Sequence, residues 1–206
     1  MNVFYPVSLN LAGRTCVVIG ERDDREAIDK AAALEEAGAN VRWLSDLAAL
    51  RDEDIVDAFF VISTPQDEAL SRRLRTLADR HKFLLCCIDQ PAYGFVAMAA
   101  IAKSGPVRIA ISTTGQAPRV GKALKEALQG AMDATFERFI ACLSSQKTRI
   151  KRKHPDANDT GIRRKAMIDA ATGFTAKLVF TYPEWFLERE RAQLPAAIEE
   201  ADRDER

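Results

Sequence analysis

The sequence predicts an α/β fold, a largely parallel sheet domain followed by an α-helical region. Three observations carry the prediction. Short apolar runs rich in Val, Ile and Leu recur at residues 15–19, 41–44, 56–62 and 83–88. Amphipathic stretches long enough to cross back over a sheet separate them, the alternation expected of βαβ units. Beyond residue 115 the strand signal stops, and Val120, Leu124, Leu128, Phe136, Phe139 and Leu143 fall at helical spacing instead.

Each element has a local reason. A lead-in containing Phe4-Tyr5-Pro6-Val7 turns at Gly13-Arg14 into the strand Thr15-Cys16-Val17-Val18-Ile19, which ends at Gly20. A polar stretch, residues 21–26, opens an Ala/Leu-rich helix that runs through Ala37 and is stopped by Gly38 in the C′ position. Val41-Arg42-Trp43-Leu44 is the next strand, ending at Ser45-Asp46. One βαβ unit implies a parallel sheet with right-handed crossovers. The pattern repeats with a strand over residues 56–62, its exit at Ser63-Thr64-Pro65, a helix over 67–81 and a strand over 83–88. Strands and helices of these lengths read as a doubly wound, Rossmann-like sheet.

The runs 83–88 and 107–111 end on residues able to do chemistry. The first leads into Asp89, with Pro91 beyond it; the second leads into Ser112-Thr113-Thr114-Gly115, with Pro118 opening a helix. Both read as buried strands of the sheet, and open α/β sheets gather their sites at such exits, so both are expected to face one pocket. Partial burial would suit Asp89 to accept a proton near neutral pH; the alternative is a turn-forming Asp before Pro. The hydroxyls and N–H groups of residues 112–115 could meet an anionic ligand, or could cap a helix.

A chain of 206 residues has room for one ordinary domain and a smaller appendage. Thirty basic and thirty acidic residues leave no net charge, which gives no global field toward nucleic acid or a membrane surface. The charge is segregated, however: residues 119–177 carry 13 basic against 6 acidic side chains, including the runs 147–153 and 163–165, while 178–206 carry 4 against 8. The basic runs could pair with carboxylates or be solvated helix faces. The residue spacing offers no signal peptide and no apolar run near the ~20 residues of a membrane span. With four scattered cysteines this points to a cytoplasmic protein. His81 and His154 stand alone, so no metal site is expected. A polar linker over 154–161 separates the first long helices from a further helix and an acidic end, and so long an apolar face on few helices calls for a second copy of the chain.

A dinucleotide-binding domain would follow its first strand with G-x-G-x-x-G/A. Here Gly20 and Ala27 are eight residues apart inclusive, with Glu21, Asp23, Asp24 and Glu26 between them and Arg22 and Arg25 as the compensating cations. Asp46 stands where a ribose-binding carboxylate belongs, or is an exposed loop residue.

The lead-in FYPVSLNLAGRTCVVIG, the LEEAGANV segment, the CCIDQP turn and the block GPVRIAISTTGQAPRVGKALKEAL together resemble the siroheme synthase N-terminal family, over most of residues 4–128. The last block keeps the family's Gly-Pro, strand, Ser-Thr, Gly and Pro at their spacing. The resemblance implies an NAD-binding domain over residues 1–115 and a helical dimerisation and substrate-cleft region over 116–206. It implies precorrin-2 dehydrogenase activity in siroheme biosynthesis, in some members with ferrochelatase activity, and a homodimer whose substrate is a tetrapyrrole. The family's essential aspartate falls on Asp89 and its substrate loop on Ser112, Thr113, Thr114 and Gly115. The cofactor side would involve Gly20, Arg25, Glu26, Asp46 and Thr64. The chain departs from the family in the glycine-poor loop after Gly20, in Cys86 for an Asn, in Ser63-Thr64-Pro65-Gln66 for Ala-Ala-Thr-Asp, and in Ser71 for an Asn. An alternative reading is therefore a divergent member that does not use NAD, acting as a chelatase or a non-catalytic tetrapyrrole-binding protein.

Overall fold

A computed structural model describes residues 4–193. Four strands, β1 (Thr15–Ile19), β2 (Asn40–Leu44), β3 (Phe60–Ser63) and β4 (Leu84–Cys87), form a parallel sheet in the order β2-β1-β3-β4. Helix α1 (Arg25–Glu36) connects β1 to β2, and α2 (Glu68–His81) connects β3 to β4. The predicted Rossmann-like architecture is thus present. Ile19 stands opposite both Leu44 and Ser63, and Ser63 opposite Cys87, so all four strands end at one level edge.

The sheet is buried on both faces, as parallel sheets are. On one face Val17, Ile19, Val61, Leu85 and Cys87 pack with Leu70, Leu74, Leu77 and Ala78 of α2. On the other, Cys16, Val18, Phe60, Ile62 and Cys86 pack with Ala27, Ala31 and Leu34 of α1. Adjacent Cys86 and Cys87 point to opposite faces because the side-chain period of a strand is two. Helix ends follow their sequence signals. Asp67 caps α2 by accepting from Leu70 N at 3.0 Å, and Gly38, with φ +81°, closes α1.

Two strand expectations are corrected. The run 56–62 contributes only its end to β3. A 3-10 turn over Asp52–Asp54 precedes it, and Asp57 is held in the turn by Arg42, whose guanidinium donates to both carboxylate oxygens at 2.7 and 2.9 Å. A polar anchor this specific outweighs the apolar character of its neighbours.

Nor does the run 107–111 join the parallel sheet. It is β6 (Val107–Ile111), the second strand of an antiparallel hairpin whose first strand, β5 (Ala100–Ser104), carried no strong sequence signal. The hairpin is half-exposed, not buried. The alternation Val-Arg-Ile-Ala-Ile after Gly105-Pro106 is the pattern of a two-faced strand, and Gly105 turns the chain with φ +51°. Helix α3 (Pro118–Ala131) belongs with this hairpin, where Gln129 bonds both the N–H (3.0 Å) and the carbonyl (2.8 Å) of Lys103.

The chain divides into two compact units, Met1–Ala141 and Cys142–Arg206. The division falls inside α4 (Ala134–Lys153), later than the compositional change at residue 115, because α3 packs with the hairpin. The second unit holds the rest of α4, α5 (Thr160–Ala170) and α6 (Glu184–Gln193). The stretch 154–161 is no plain linker: it contains a 3-10 turn over Ala157–Asp159 and the start of α5. Arg163 holds it together by donating to the carbonyls of His154 (2.8 Å) and Asp156 (2.5 Å). Residues 194–206 of the acidic end lie outside the described residues. Among those residues, no helix is long and apolar enough to cross a membrane.

Candidate functional site at the carboxyl edge of the sheet

With strand order β2-β1-β3-β4, the chain reverses its direction of travel between β1 and β3. Ligands of open α/β sheets bind in the crevice outside the strand ends at such a switch point. Backbone bonds carry the edge one residue past each strand: Gly20 N donates to the Leu44 carbonyl (3.1 Å), Thr64 N to Ile19 (3.0 Å) and Ile88 N to Ser63 (2.9 Å). Asp46, Gly20, Thr64 and Asp89 therefore follow one another along a single edge.

At the switch point itself, Gly20 is buried against the neighbouring loop. A Cβ there would run into Thr64 Oγ1 and stand 3.0 Å from Ala27 Cβ, so the glycine is required by close packing. Its carbonyl accepts from Trp43 Nε1 at 2.8 Å, and Arg22 stacks over the Trp43 ring at 4.6 Å. Asp24 is the centre of the arrangement. It is the N-cap of α1, with Oδ1 accepting from Glu26 N at 2.9 Å and Oδ2 from the Thr64 hydroxyl at 2.5 Å. The Thr64 hydroxyl, and then the backbone N–H groups of Glu26 and Ala27, hold its carboxyl below the usual carboxylate range despite partial burial.

Arg25 and Glu26 are exposed on the first turn of α1, and Glu26 pairs with Lys30 at 3.0 Å. Asp46 lines a cavity of ≈ 280 Å³ beyond β2, together with Trp43, Ser45, Ala49 and Leu50. One of its carboxylate oxygens already accepts from Ala48 N (3.0 Å) and Ala49 N (3.2 Å), which builds the loop.

Asp89 follows β4 in a left-handed conformation, φ 58°. It is exposed, so the expected burial is absent. Its turn is built by its neighbours instead. Gln66, from the loop after β3, donates to Asp89 Oδ2 at 3.2 Å, and buried Ser71 on α2 donates to Gln90 at 2.5 Å. Ser71 and Gln66, two of the departures in sequence, thus support the Asp89 turn.

Ser112, Thr113, Thr114 and Gly115 lie at the end of the hairpin. Thr114 (φ 51°) and Gly115 (φ 78°) are the two central residues of a turn closed by Gln116 N donating to the Thr113 carbonyl at 3.0 Å. Positive φ at both positions is the type I′ pattern. Ser112 Oγ accepts from Thr114 N (3.2 Å) and the Thr114 hydroxyl donates to the Thr113 carbonyl (2.7 Å). None of these hydroxyls caps α3, whose N-cap is Ala117 followed by Pro118. β4 and β6 belong to different sheets, so the two exits do not lie on one sheet edge.

Sequence reasoning took Asp24 only as one of several acids in the loop. The signal for its role was present: an Asp immediately before a helix with an acidic first turn is an N-cap. The contact with Thr64, forty residues away, had no local signal.

The fold and this edge define a Rossmann-like class of domain. A family model described as "Putative NAD(P)-binding" matches residues 7–100. The siroheme synthase of Thioalkalivibrio sulfidiphilus is 28% identical over 181 residues, covering 79% of this chain and 36% of that protein. That of Neisseria meningitidis serogroup C is 31% identical over 147 residues, covering 63% and 30%. That of Nitrosococcus oceani is 24% identical over 216 residues, covering 95% and 44%. A solved structure, "SirC, precorrin-2 dehydrogenase", shares the fold with a TM-score of 0.63 and 19% identity, covering 82% of this chain and 90% of that one. The chain is thus similar to the N-terminal part of siroheme synthases and spans less than half the length of these relatives.

The resemblance implies NAD. A dinucleotide's pyrophosphate sits on the N-terminus of the helix after β1. Here that seat holds the Asp24 carboxylate, bonded to the amide that would meet a phosphate oxygen. In this conformation the residues present do not fit the group.

Proposed function

We propose that the chain is a precorrin-2 dehydrogenase producing sirohydrochlorin in siroheme biosynthesis. The observation that carries this reading is the similarity to siroheme synthases joined to Asp89, an exposed carboxylate standing at the carboxyl edge of the sheet and fixed there by Gln66. Asp89 is the group that accepts a proton from the tetrapyrrole as it is oxidised. Its exposure leaves it open to a large substrate. Ser112, Thr113, Thr114 and Gly115 bind substrate carboxylates through backbone N–H groups of a turn at positive φ. NAD is the oxidant this reading requires, with Gly20, Arg25, Glu26, Asp46 and Thr64 on its side of the edge.

Residues 1–115 form the NAD-binding domain in this reading, and 116–206 form the dimerisation and substrate-cleft region of a cytoplasmic homodimer. Exposed Phe180, Tyr182 and Trp185 in the second unit support a covering partner, and the four unpaired cysteines support a reducing compartment. Mixing the full chain with precorrin-2 and NAD should give the absorbance of sirohydrochlorin, and Asp89→Asn should slow it at least ~100-fold. No product, or equal rates for the two proteins, sinks the assignment.

A second reading is favoured by Asp24: a family member that has given up NAD and acts as a chelatase or a non-catalytic tetrapyrrole-binding protein. Insertion of ferrous or cobaltous ion into sirohydrochlorin without NAD, together with no NAD-dependent product, selects it.

A further inference from the structure

The disagreement between the family's cofactor and the residues at its phosphate seat has a specific cause. We propose that Asp24 is a built-in occupant of the dinucleotide phosphate seat, latched there by Thr64, and that a dinucleotide binds only as this carboxylate is displaced. The inference deepens the dehydrogenase reading and rests on it.

Three features support it independently. The Asp24 carboxylate makes the kind of bond a phosphate oxygen makes at a helix start, accepting from Glu26 N at 2.9 Å. Its second oxygen is tied across the switch point, since the Thr64 hydroxyl reaches it from the end of β3 at 2.5 Å. Finally, Gly20, whose lack of a Cβ would elsewhere admit the pyrophosphate, is here closed over by Thr64 and Ala27. A free carboxylate in a flexible loop would turn outward to avoid a phosphate. This one is engaged on both oxygens, so a phosphate meets both an occupied seat and a like charge.

The latch opens by rotation of the Asp24 side chain. Loss of the Thr64 bond or of the Asp24 charge shifts the balance toward the open seat. Because Asn is as good an N-cap as Asp, Asp24→Asn keeps α1 closed at its start while removing the charge. Thr64→Val keeps the side-chain shape and removes the donor. Asp23, the exposed acid next door, provides the control for charge alone.

The test is calorimetric titration of the full chain with NAD, alongside melting curves that establish that each variant is folded. Asp24→Asn should tighten NAD binding by roughly tenfold or more, Thr64→Val by a smaller factor, and Asp23→Asn by less than about twofold. Should Asp24→Asn bind NAD no more tightly than the unaltered chain, or Asp23→Asn gain as much as it does, the latch is refuted while the dehydrogenase reading stands. If neither the unaltered chain nor Asp24→Asn binds NAD at millimolar concentration, both the latch and the NAD-dependent reading fall.

Discussion

The Thr64 hydroxyl donates a 2.5 Å hydrogen bond to the Asp24 carboxylate, joining the end of β3 to the start of α1 across the switch point of the sheet. Because that bond and the α1 amides favour the ionised acid, the Asp24 carboxyl is held below its usual range. The unfolded chain then binds the proton more readily than the folded one, so stability rises with pH through this window. The stabilisation is complete above the ordinary Asp range, about 3.9, and is lost as pH falls from there through the lowered value. Thr64→Val should cost about 2 kcal/mol at pH 7 by urea unfolding, a bond to a charged acceptor. The difference between the two proteins should shrink below pH 4. A constant difference down to pH 2 would show that the lost bond is not charge-linked.

Gly20→Ala puts a methyl into Thr64 Oγ1 and against Ala27 Cβ. Thr64 could rotate away only by giving up Asp24, and Ala27 has no rotamer to change. A loss of about 1–3 kcal/mol is expected from chemical denaturation, the range for overpacking. Unchanged stability would mean the two loops separate readily.

Glu36, at the end of α1, holds the hairpin with both carboxylate oxygens: Lys103 Nζ at 2.6 Å and Arg108 Nη2 at 2.7 Å. The two cations, Lys103 first, lower its carboxyl pKa. Glu36→Ala should speed amide exchange in β5 and β6 at low salt, with little effect on the parallel sheet. In about 1 M salt, where the Debye length is about 3 Å, the two proteins should converge. Equal exchange at low salt would assign the hairpin's anchoring to Gln129 and α3 alone.

Burial pushes the Cys86 thiol up to about 11 and raises those of Cys87 and Cys16 by the same cause. Thiolate is the reactive form, so at pH 8 these three should react with an aromatic disulfide reagent only as the protein unfolds. Cys142, exposed on α4, is the thiol open to the reagent in the native chain. Rapid modification of two or more thiols without denaturant would contradict the buried sheet.

Much of this fold was legible because its signals are local. The β1–α1–β2 unit and α2 with its Asp67 cap are written in apolar period, capping residues and Gly38. The hairpin was legible only in half. β6 has an alternating pattern that reads equally as a short buried run, and β5, with Ala100, Ala102 and Lys103, has no β-branched density to mark it. Among the site residues, Asp89 and the turn at 112–115 stand out by their places after apolar runs. Gln66 and Ser71 looked like substitutions at a cofactor site, and only their contacts reveal that they carry the Asp89 turn.

By itself the sequence determined the class of fold, the family resemblance and the order of chemically able residues along the chain, since each of these depends on short-range pattern. Tertiary structure decided which of those residues meet. It put the strand before the turn at 112–115 in a different sheet from the one whose edge bears Asp89, because register and sheet membership are settled by long-range pairing. It also turned an acidic loop, legible only as repulsive to phosphate, into one particular carboxylate seated on α1. The physical reason is distance along the chain: Asp24 and Thr64 share no local signal, and only the parallel pairing of β1 with β3 brings the hydroxyl within bonding reach of the acid.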